Sequence, residues 1–390
     1  MTSNTDKFNR WIRTDFQQMN TALEELYFVQ DDRDNVAGIG DDIKARLLEE
    51  GRVHIKALLE EGNTDEGFDS GFDLLGNVGF YMAACRRHGL TDPAKERKSP
   101  LLEASALAMQ LGATLGMIPR FASAHLETHN RAENGVYKSF TTLDDELLFI
   151  DYNTRSVFAY IRAAEALLHI LPLGVSHSIT FDLLRAARDA LREVVNNNDE
   201  LFDKLDTERF FYCVRPYYKP HKVGLHEYRG ANAGDFSGIN VIDLLLGLCR
   251  ADDPYYSQLL VDKFLFMRPE DQLVLRDCMR RQSLLDGFLA VADACSKERW
   301  YRRNAAMFLE VCEAHGQTAI QHHEKLVSKF IENPAVAAGT QDKDGLTASG
   351  PPLPVLLKAL KKLCDLRAAT DRDDIPSRYG DLQILRNSLA

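Results

Sequence analysis

The sequence predicts an all-α protein with a small N-terminal helical domain and a larger second helical domain. Apolar residues recur three and four positions apart through most of the chain, which is the spacing of amphipathic helices. The chain has 390 residues, enough for two domains with their own cores. Its 45% hydrophobic and 27% charged residues are typical of a globular protein.

Charge and composition restrict the partners. The formal net charge of -11 argues against nucleic acid and anionic membranes as partners, because both repel an acidic surface. The N-terminal residues lack the apolar core of a signal peptide, and no run of 18 apolar residues occurs. We therefore expect a cytoplasmic protein, monomeric or homodimeric. The seven cysteines form no CxxC pair and are expected to be reduced core residues.

The first predicted domain spans residues 1–142. Its amphipathic patterns predict helices at 8–28, 43–61, 68–88 and 101–115, with an acidic turn at 31–42. Residues 119–142 have little periodicity and are interpreted as the connection to the second domain. Within them His125 and His129 are spaced i, i+4 and could share a metal, although an exposed polar loop is the favoured interpretation.

The second predicted domain spans residues 143–390. Helices are predicted in seven segments: 152–171, 179–196, 239–249, 255–266, 269–294, 303–331 and 354–369. Pro172 ends the first of these helices. Residues 333–352 are rich in Ala, Gly, Thr, Asp and Pro. A segment of that length inside a helical domain is unusual unless it acts as a lid.

The predicted helix 303–331 carries the candidate ligand. His323 shares an apolar face with Ala319 and Val327, whereas His322 shares a polar face with Lys325 and Lys329. An inward-facing imidazole needs a hydrogen-bond partner or a metal. From the pattern alone, an ordinary core histidine is the more frequent explanation.

A second informative stretch runs from residue 209 to residue 249. It opens as a helix, breaks at Pro216 and Pro220, and continues through a glycine-bearing loop into an apolar helix. Free N–H groups at such a helix start can bind an anion, although a plain tight turn is the alternative. Arg215 could form a structural salt bridge with Asp206 or Glu208.

Three motifs in this half resemble the indoleamine 2,3-dioxygenase superfamily of haem proteins, and within it the monodechloroaminopyrrolnitrin synthase branch of pyrrolnitrin biosynthesis. They are His323 with LVSKFIENPA, FFYCVRPYY at 210–218, and GANAGDFSGINVIDLLLGL at 230–248. The resemblance covers residues 145–370 well and the N-terminal helices only by their helical character.

The resemblance implies haem b with His323 as the axial ligand of the iron, and His315 as the alternative ligand. It also implies that Phe210 lines the distal pocket and that Arg215 receives a substrate carboxylate. Other expected contacts are Tyr217 with the substrate ring, Ser349 and Gly350 with the amino acid, Asn232 and Gly234 at the haem edge, and Tyr228 and Arg229 with a haem propionate or with the loop itself. Distal acid–base work would fall to the substrate's own amine or N–H, to a hydroxyl such as Ser156, or to the oxidant itself.

Two departures from the dioxygenases shape the expected activity. Asn232 stands where they have a serine, and LTASGPPLP at 346–354 replaces their Gly- and Thr-rich lid. We therefore expect oxidation or rearrangement of an aromatic L-amino acid, tryptophan or a modified tryptophan, in specialised metabolism. The oxidant would be O2 with an electron donor, or peroxide. The alternatives are an indole-ring 2,3-dioxygenase that gives a formylkynurenine-type product, and a non-enzymatic helical scaffold.

Overall fold

The chain is helical almost throughout in a computed structural model that describes residues 3–62, 67–231, 235–339 and 352–389. The first helices are α1 (Asn4–Arg13), α2 (Asp15–Phe28), α3 (Asp41–Glu61), α4 (Phe68–Arg87), α5 (Leu102–Leu115), α6 (Asp144–Ile170), α7 (Thr180–Lys204) and α8 (Thr207–Arg209).

A two-stranded antiparallel hairpin follows, with His221 paired to Tyr228. The remaining elements are β1 (His221–Val223), β2 (His226–Tyr228), α9 (Ser237–Leu246), α10 (Pro254–Phe264), α11 (Pro269–Cys278), α12 (Leu284–Cys295), α13 (Arg299–Gln321), α14 (Asn333–Ala337), α15 (Leu353–Arg367) and α16 (Tyr379–Asn387).

Three long predicted helices are wrong in their extent. The helix predicted at 8–28 divides at Thr14, whose backbone leaves the helical region. The helix predicted at 269–294 divides because Ser283 caps α12 by accepting a hydrogen bond from the Asp286 N–H at 3.1 Å. The helix predicted at 303–331 begins at Arg299, and its backbone hydrogen bonding changes after Gln321.

Other predicted boundaries also move. The polar stretch after residue 196 contains neither Gly nor Pro, and α7 continues through it to Lys204. The predicted irregular segment 333–352 begins with the short helix α14, which has Pro334 at its start, where a missing N–H costs nothing. The hairpin and α16 were not predicted from the sequence.

One compact unit comprises residues 1–151, 204–235 and 330–356. Here α1, α3, α4 and α5 pack around a core of aromatic and aliphatic side chains. The unit takes in segments well beyond residue 142, so the predicted division into 1–142 and 143–390 stays a prediction about folding domains.

The other compact unit comprises residues 152–203, 236–329 and 357–390. Its core is built where α9 packs on α11 and α12, and where α16 packs on α12 and α13. Gly247 ends α9 with a left-handed backbone (φ +75°), and an added Cβ would lie 2.4 Å from the Ser283 hydroxyl. Glycine is therefore required at this helix end. Within the described ranges, no helix is long and apolar enough to cross a membrane.

Candidate functional site

The two adjacent histidines lie at a change of helix type. α13 ends at Gln321, and residues His322–Glu332 form a wider helix with i to i+5 hydrogen bonds. Long π-helical segments are rare, and short ones are frequent at functional sites. The change therefore marks this part of the chain as a candidate site independently of the histidines.

His323, the predicted axial ligand, is partly open to solvent. Its ring is half-buried, and its Nδ1 atom is buried without a hydrogen-bond partner among the described residues. On the same face, Ala319 and Val327 are buried, as the apolar pattern predicted. An unsatisfied buried ring nitrogen costs about 1–3 kcal/mol, and the same state occurs at His315 Nδ1 and at both ring nitrogens of His221.

His322 is accessible, as predicted from its polar face. Desolvation and, second, the positive charge of Arg367 together lower the pKa of His322 to about 4. The ring is neutral at neutral pH and makes a necessary control for His323.

His315 is fully buried, and its Nε2 donates to an Asp243 carboxylate oxygen 2.7 Å away. Asp243 also accepts from the Tyr256 hydroxyl at 2.6 Å and from Arg367 Nη2 at 2.7 Å. Burial alone would raise the pKa of Asp243, but Arg367 and His315 outweigh it and hold that pKa below its usual range. His315 therefore belongs to a buried charge network, and its role as the alternative ligand stays a prediction.

Ser156 is buried on α6, and its hydroxyl donates to Asn198 Oδ1 at 3.3 Å. Asn198 in turn donates to Gln321 Oε1 at 2.9 Å, and Gln321 donates to the Val195 carbonyl at 2.8 Å. A hydrogen-bond chain therefore connects the predicted distal hydroxyl to the residue that precedes His322.

Arg215 lies on the segment where Phe210–Val214 is π-helical and Arg215–Tyr218 is a 3₁₀ turn. Its side chain is buried, with Nε 3.3 Å from the Phe211 carbonyl and the guanidinium 4.1 Å from the Phe211 ring centre. Burial lowers the pKa of Arg215 to about 10, so it stays charged at neutral pH.

The predicted salt-bridge partners of Arg215 have other contacts. Asp206 caps α8 by accepting from the Arg209 N–H at 2.8 Å, and Glu208 pairs with Arg33 at 2.8 Å. The role of Arg215 as a carboxylate anchor stays a prediction.

The aromatic residues of this segment face two environments. Phe210 is buried between Phe149 and Phe330, with ring centres 5.0 and 5.8 Å away. Tyr217 stacks on Phe140 at 4.5 Å, and its hydroxyl is 3.4 Å from His88 Nε2. Tyr217 is thus part of the core of its unit, and its role in binding substrate stays a prediction.

Arg229 follows Tyr228, which is half-buried on β2, and forms a two-pronged ion pair with Asp235 at 2.6 and 3.2 Å. Of the two predicted roles for Arg229, a haem propionate or the loop, the described contacts are to the loop. Four predicted site residues lie outside the described ranges: Asn232, Gly234, Ser349 and Gly350.

Two acidic residues of this region were missed from the sequence. Asp243 is a carboxylate inside the apolar run INVIDLLLGL, and a charge in such a run must have a buried partner. That signal could have identified it. Asp235 carried no comparable signal, because acidic residues are frequent in loops.

In the other predicted histidine pair, His125 and His129, the first residue has a structural role. That ring is buried and stacks on Phe72 at 3.9 Å; its Nδ1 accepts from the Ala122 N–H at 2.9 Å and its Nε2 lies 2.8 Å from the Phe72 carbonyl. Both nitrogens are occupied by the backbone. The exposed polar loop expected here is therefore wrong at His125.

A haem iron needs one neutral imidazole with room for the macrocycle on one side. The His323 ring is partly open, and its role as the axial ligand stays a prediction. The all-α fold is consistent with that of a class of proteins, the helical haem enzymes of the indoleamine 2,3-dioxygenase type.

The chain belongs to the monodechloroaminopyrrolnitrin synthase PrnB family, which it matches over residues 2–389. The members are oxidative haem enzymes of pyrrolnitrin biosynthesis that modify tryptophan. The match confirms the predicted family, the all-α fold class and the assignment as a haem-dependent oxidoreductase.

Proposed function

We propose that this chain oxidises or rearranges tryptophan or a ring-modified tryptophan at a haem b that His323 holds. The observation that carries the proposal is the match to an oxidative haem enzyme family over nearly the whole chain. It is supported by the unsatisfied Nδ1 atom of a half-buried His323 at the start of a π-helical segment.

Arg215 would bind the substrate carboxylate. A guanidinium presents two parallel N–H donors to a carboxylate, which fixes both the position and the orientation of an amino acid. The contacts of Arg215 with Phe211 hold its guanidinium plane in place before a ligand arrives. Less side-chain freedom then has to be lost on binding.

Phe210 would pack against the indole, and Ser349 and Gly350 of the lid would contact the amino group. Ser156 would act as the distal hydroxyl, able to hold a proton between the substrate and Asn198. The bound haem would supply the oxidising power, drawn from O2 with an external electron donor or from peroxide. The share of the protein is to orient the substrate and to exclude water.

The Soret absorbance of purified variants tests the axial ligand. His323→Ala should lose haem or bind it weakly with a changed spectrum, whereas His322→Ala should retain it. His315→Ala is expected to lose stability through its contact with Asp243 while any folded fraction keeps the Soret band. A normal band in His323→Ala together with its loss in either other variant would reject His323 as the ligand.

A further inference from the structure

Helix α4 ends with two arginines that have different surroundings. Arg87 is buried and binds both oxygens of Glu24, at 2.8 and 2.7 Å, so its charge is compensated. Arg86 is half-buried, and its Nε donates to the Pro220 carbonyl at 3.2 Å. Within the described part of the chain, no carboxylate lies at ion-pair distance from Arg86. The charge of Arg86 therefore lacks the direct counter-charge that its neighbour has.

The hydrogen bond to Pro220 places Arg86 beside two further cations. Lys219 directly precedes Pro220, and residues Arg215–Tyr218 form a 3₁₀ turn that packs on α4. Arg215 is the first residue of this turn, and Lys219 follows its last residue. All of these residues belong to the same compact unit. Arg86, Arg215 and Lys219 are therefore grouped at the end of α4, and we call this group the cation cluster.

The charges of the cation cluster oppose one another. Burial, and then the positive charges of Arg215 and Arg86, hold the pKa of Lys219 well below its usual range. Burial also lowers the pKa of Arg86 to about 10. The carboxylate whose charge favours the protonated Lys219 is Asp34, which is exposed and lies beyond ion-pair distance from it. Desolvated cations are costly without a counter-charge, so a bound anion would stabilise this group.

We propose that the cation cluster binds a small oxyanion, a carboxylate or an inorganic phosphate. Guanidinium and ammonium groups are the usual side-chain partners of such anions. Arg86 and Lys219 are partly open to solvent, so an anion can reach them without unfolding of the chain. The site shares Arg215 with the proposed function but needs no haem. If its occupant is the substrate carboxylate, the inference extends the proposed function, because the anchor then consists of three cations.

Calorimetric titration of the purified protein with inorganic phosphate, in a chloride-free buffer, measures the Kd of the site. Lys219→Met should raise that Kd about tenfold, the effect of losing one charge-assisted hydrogen bond. Asp34→Asn should lower it about threefold, because an exposed competing negative charge is removed. Lys56→Met is the matched control and should bind phosphate like the wild type, since Lys56 is 44% exposed and pairs with Glu103 at 3.7 Å.

Thermal unfolding separates binding from a structural role of Lys219. A ligand that binds only the folded state raises the Tm, so phosphate should raise the Tm of the wild type and not that of Lys219→Met. Without phosphate, Lys219→Met should be at least as stable as the wild type, because it removes a charge that the surrounding cations disfavour. Lys219→Arg keeps the cation and should retain phosphate binding.

Competition identifies the source of the anion. L-Tryptophan carries a carboxylate, and tryptamine is the same molecule without it. Displacement of phosphate by L-tryptophan but not by tryptamine would support the site with the amino-acid carboxylate as its occupant. Phosphate binding that neither compound displaces would support the site with phosphate as its occupant.

Two results would overturn the oxyanion site. One is a phosphate Kd in Lys219→Met within twofold of that in Lys56→Met. The other is a wild-type Tm that phosphate leaves unchanged, together with a lower Tm for Lys219→Met, which would make Lys219 a structural residue. A wild-type protein without haem would instead reject the proposed function and leave the phosphate titration unaffected, so the two failures are distinguishable.

Discussion

At the scale of single residues, the charge state of Arg215 decides whether its side chain can bind a carboxylate. Its pKa of about 10 leaves it cationic at neutral pH even though it is buried. Arg215→Leu should weaken tryptophan binding by about 2–5 kcal/mol, the usual cost of removing one partner of a buried charge pair. Titration of tryptophan against the haem spectrum measures this effect.

Arg209→Leu is the control for that titration, because Arg209 lies on the same segment but pairs with Glu25 at 2.9 Å. It should bind tryptophan like the wild type. An Arg215→Leu protein with wild-type affinity would contradict the anchor. The lid hydroxyl of Ser349 should matter less, since a neutral hydrogen bond contributes about 1 kcal/mol.

Glu127 gives a prediction about pH. Burial raises the pKa of Glu127 to about 8, with a further contribution from the negative charge of Asp235. Since this folded-state pKa lies above the unfolded value of about 4.3, the folded state favours the protonated form. The contribution of this preference to the unfolding free energy is fully present below about pH 4 and is lost as the pH rises through 8.

Urea unfolding between pH 5 and pH 9 measures that loss. Glu127→Gln should reduce the decline in unfolding free energy, because its amide cannot ionise. Glu60→Gln, at an exposed position on α3, should follow the wild-type curve. Parallel curves for the Glu127→Gln and wild-type proteins would show that Glu127 does not titrate in this range.

At the scale of elements, one carboxylate on α9 binds side chains from three other helices. Asp243 contacts Tyr256 on α10, His315 on α13 and Arg367 on α15. Asp243→Ala should lower the unfolding free energy by about 3–5 kcal/mol, because it leaves a buried guanidinium uncompensated. Chemical denaturation provides the measurement.

Asp252→Asn is the matched control for that loss. Asp252 also pairs with an arginine, Arg250, but both side chains are more than half exposed. The loss of this exposed ion pair should lower the unfolding free energy by at most about 1 kcal/mol. Equal effects of the two substitutions would mean that Asp243 is not central to the packing of these helices.

Sequence periodicity predicted most helices but not where the long ones break. The segment predicted at 43–61 is α3, which starts two residues earlier. Its end was predicted correctly, because Gly62 ends the helix in a left-handed conformation. The break at Ser283 depends on a side-chain cap that competes with a continuous helix. The change of helix type after Gln321 could not be predicted from the apolar pattern, because that pattern continues through Val327 and Phe330.

At the scale of the whole molecule, the sequence predicts residue types for the site but not their surroundings. The apolar face of its helix makes His323 the predicted ligand, the family motifs imply Arg215 as the anchor, and both roles stay predictions. The neighbours of Arg229 and His315 come from tertiary contacts with Asp235 and Asp243, and spacing along the chain carries no information about them. The aromatic pattern likewise could not separate Tyr217 in the core from Phe210.

The product of the reaction is a property of the whole enzyme. Pro351, Pro352 and Pro354 restrict the backbone of the predicted lid and leave it mainly carbonyl oxygens, which can accept hydrogen bonds from the substrate amine. We expect a main product that is an oxidised or rearranged amino acid whose amine takes part in the reaction. Mass spectrometry after turnover of L-tryptophan with labelled O2 identifies it.

A main product with both atoms of one O2 molecule added across the indole 2,3-bond would contradict this expectation. It would favour the indole-ring dioxygenase alternative.

The π-helical segment His322–Glu332 also affects how the protein unfolds. Wide helical turns pack their backbone less well than α-helical turns, so this stretch should open at a lower free energy than α13, which lies in a large apolar core. Because the proposed iron ligand is its second residue, local opening would release the haem while most helices stay folded. On heating, the Soret band should therefore disappear at a lower temperature than the helical circular dichroism signal, and the released haem would leave a folded apoprotein able to take it up again on cooling.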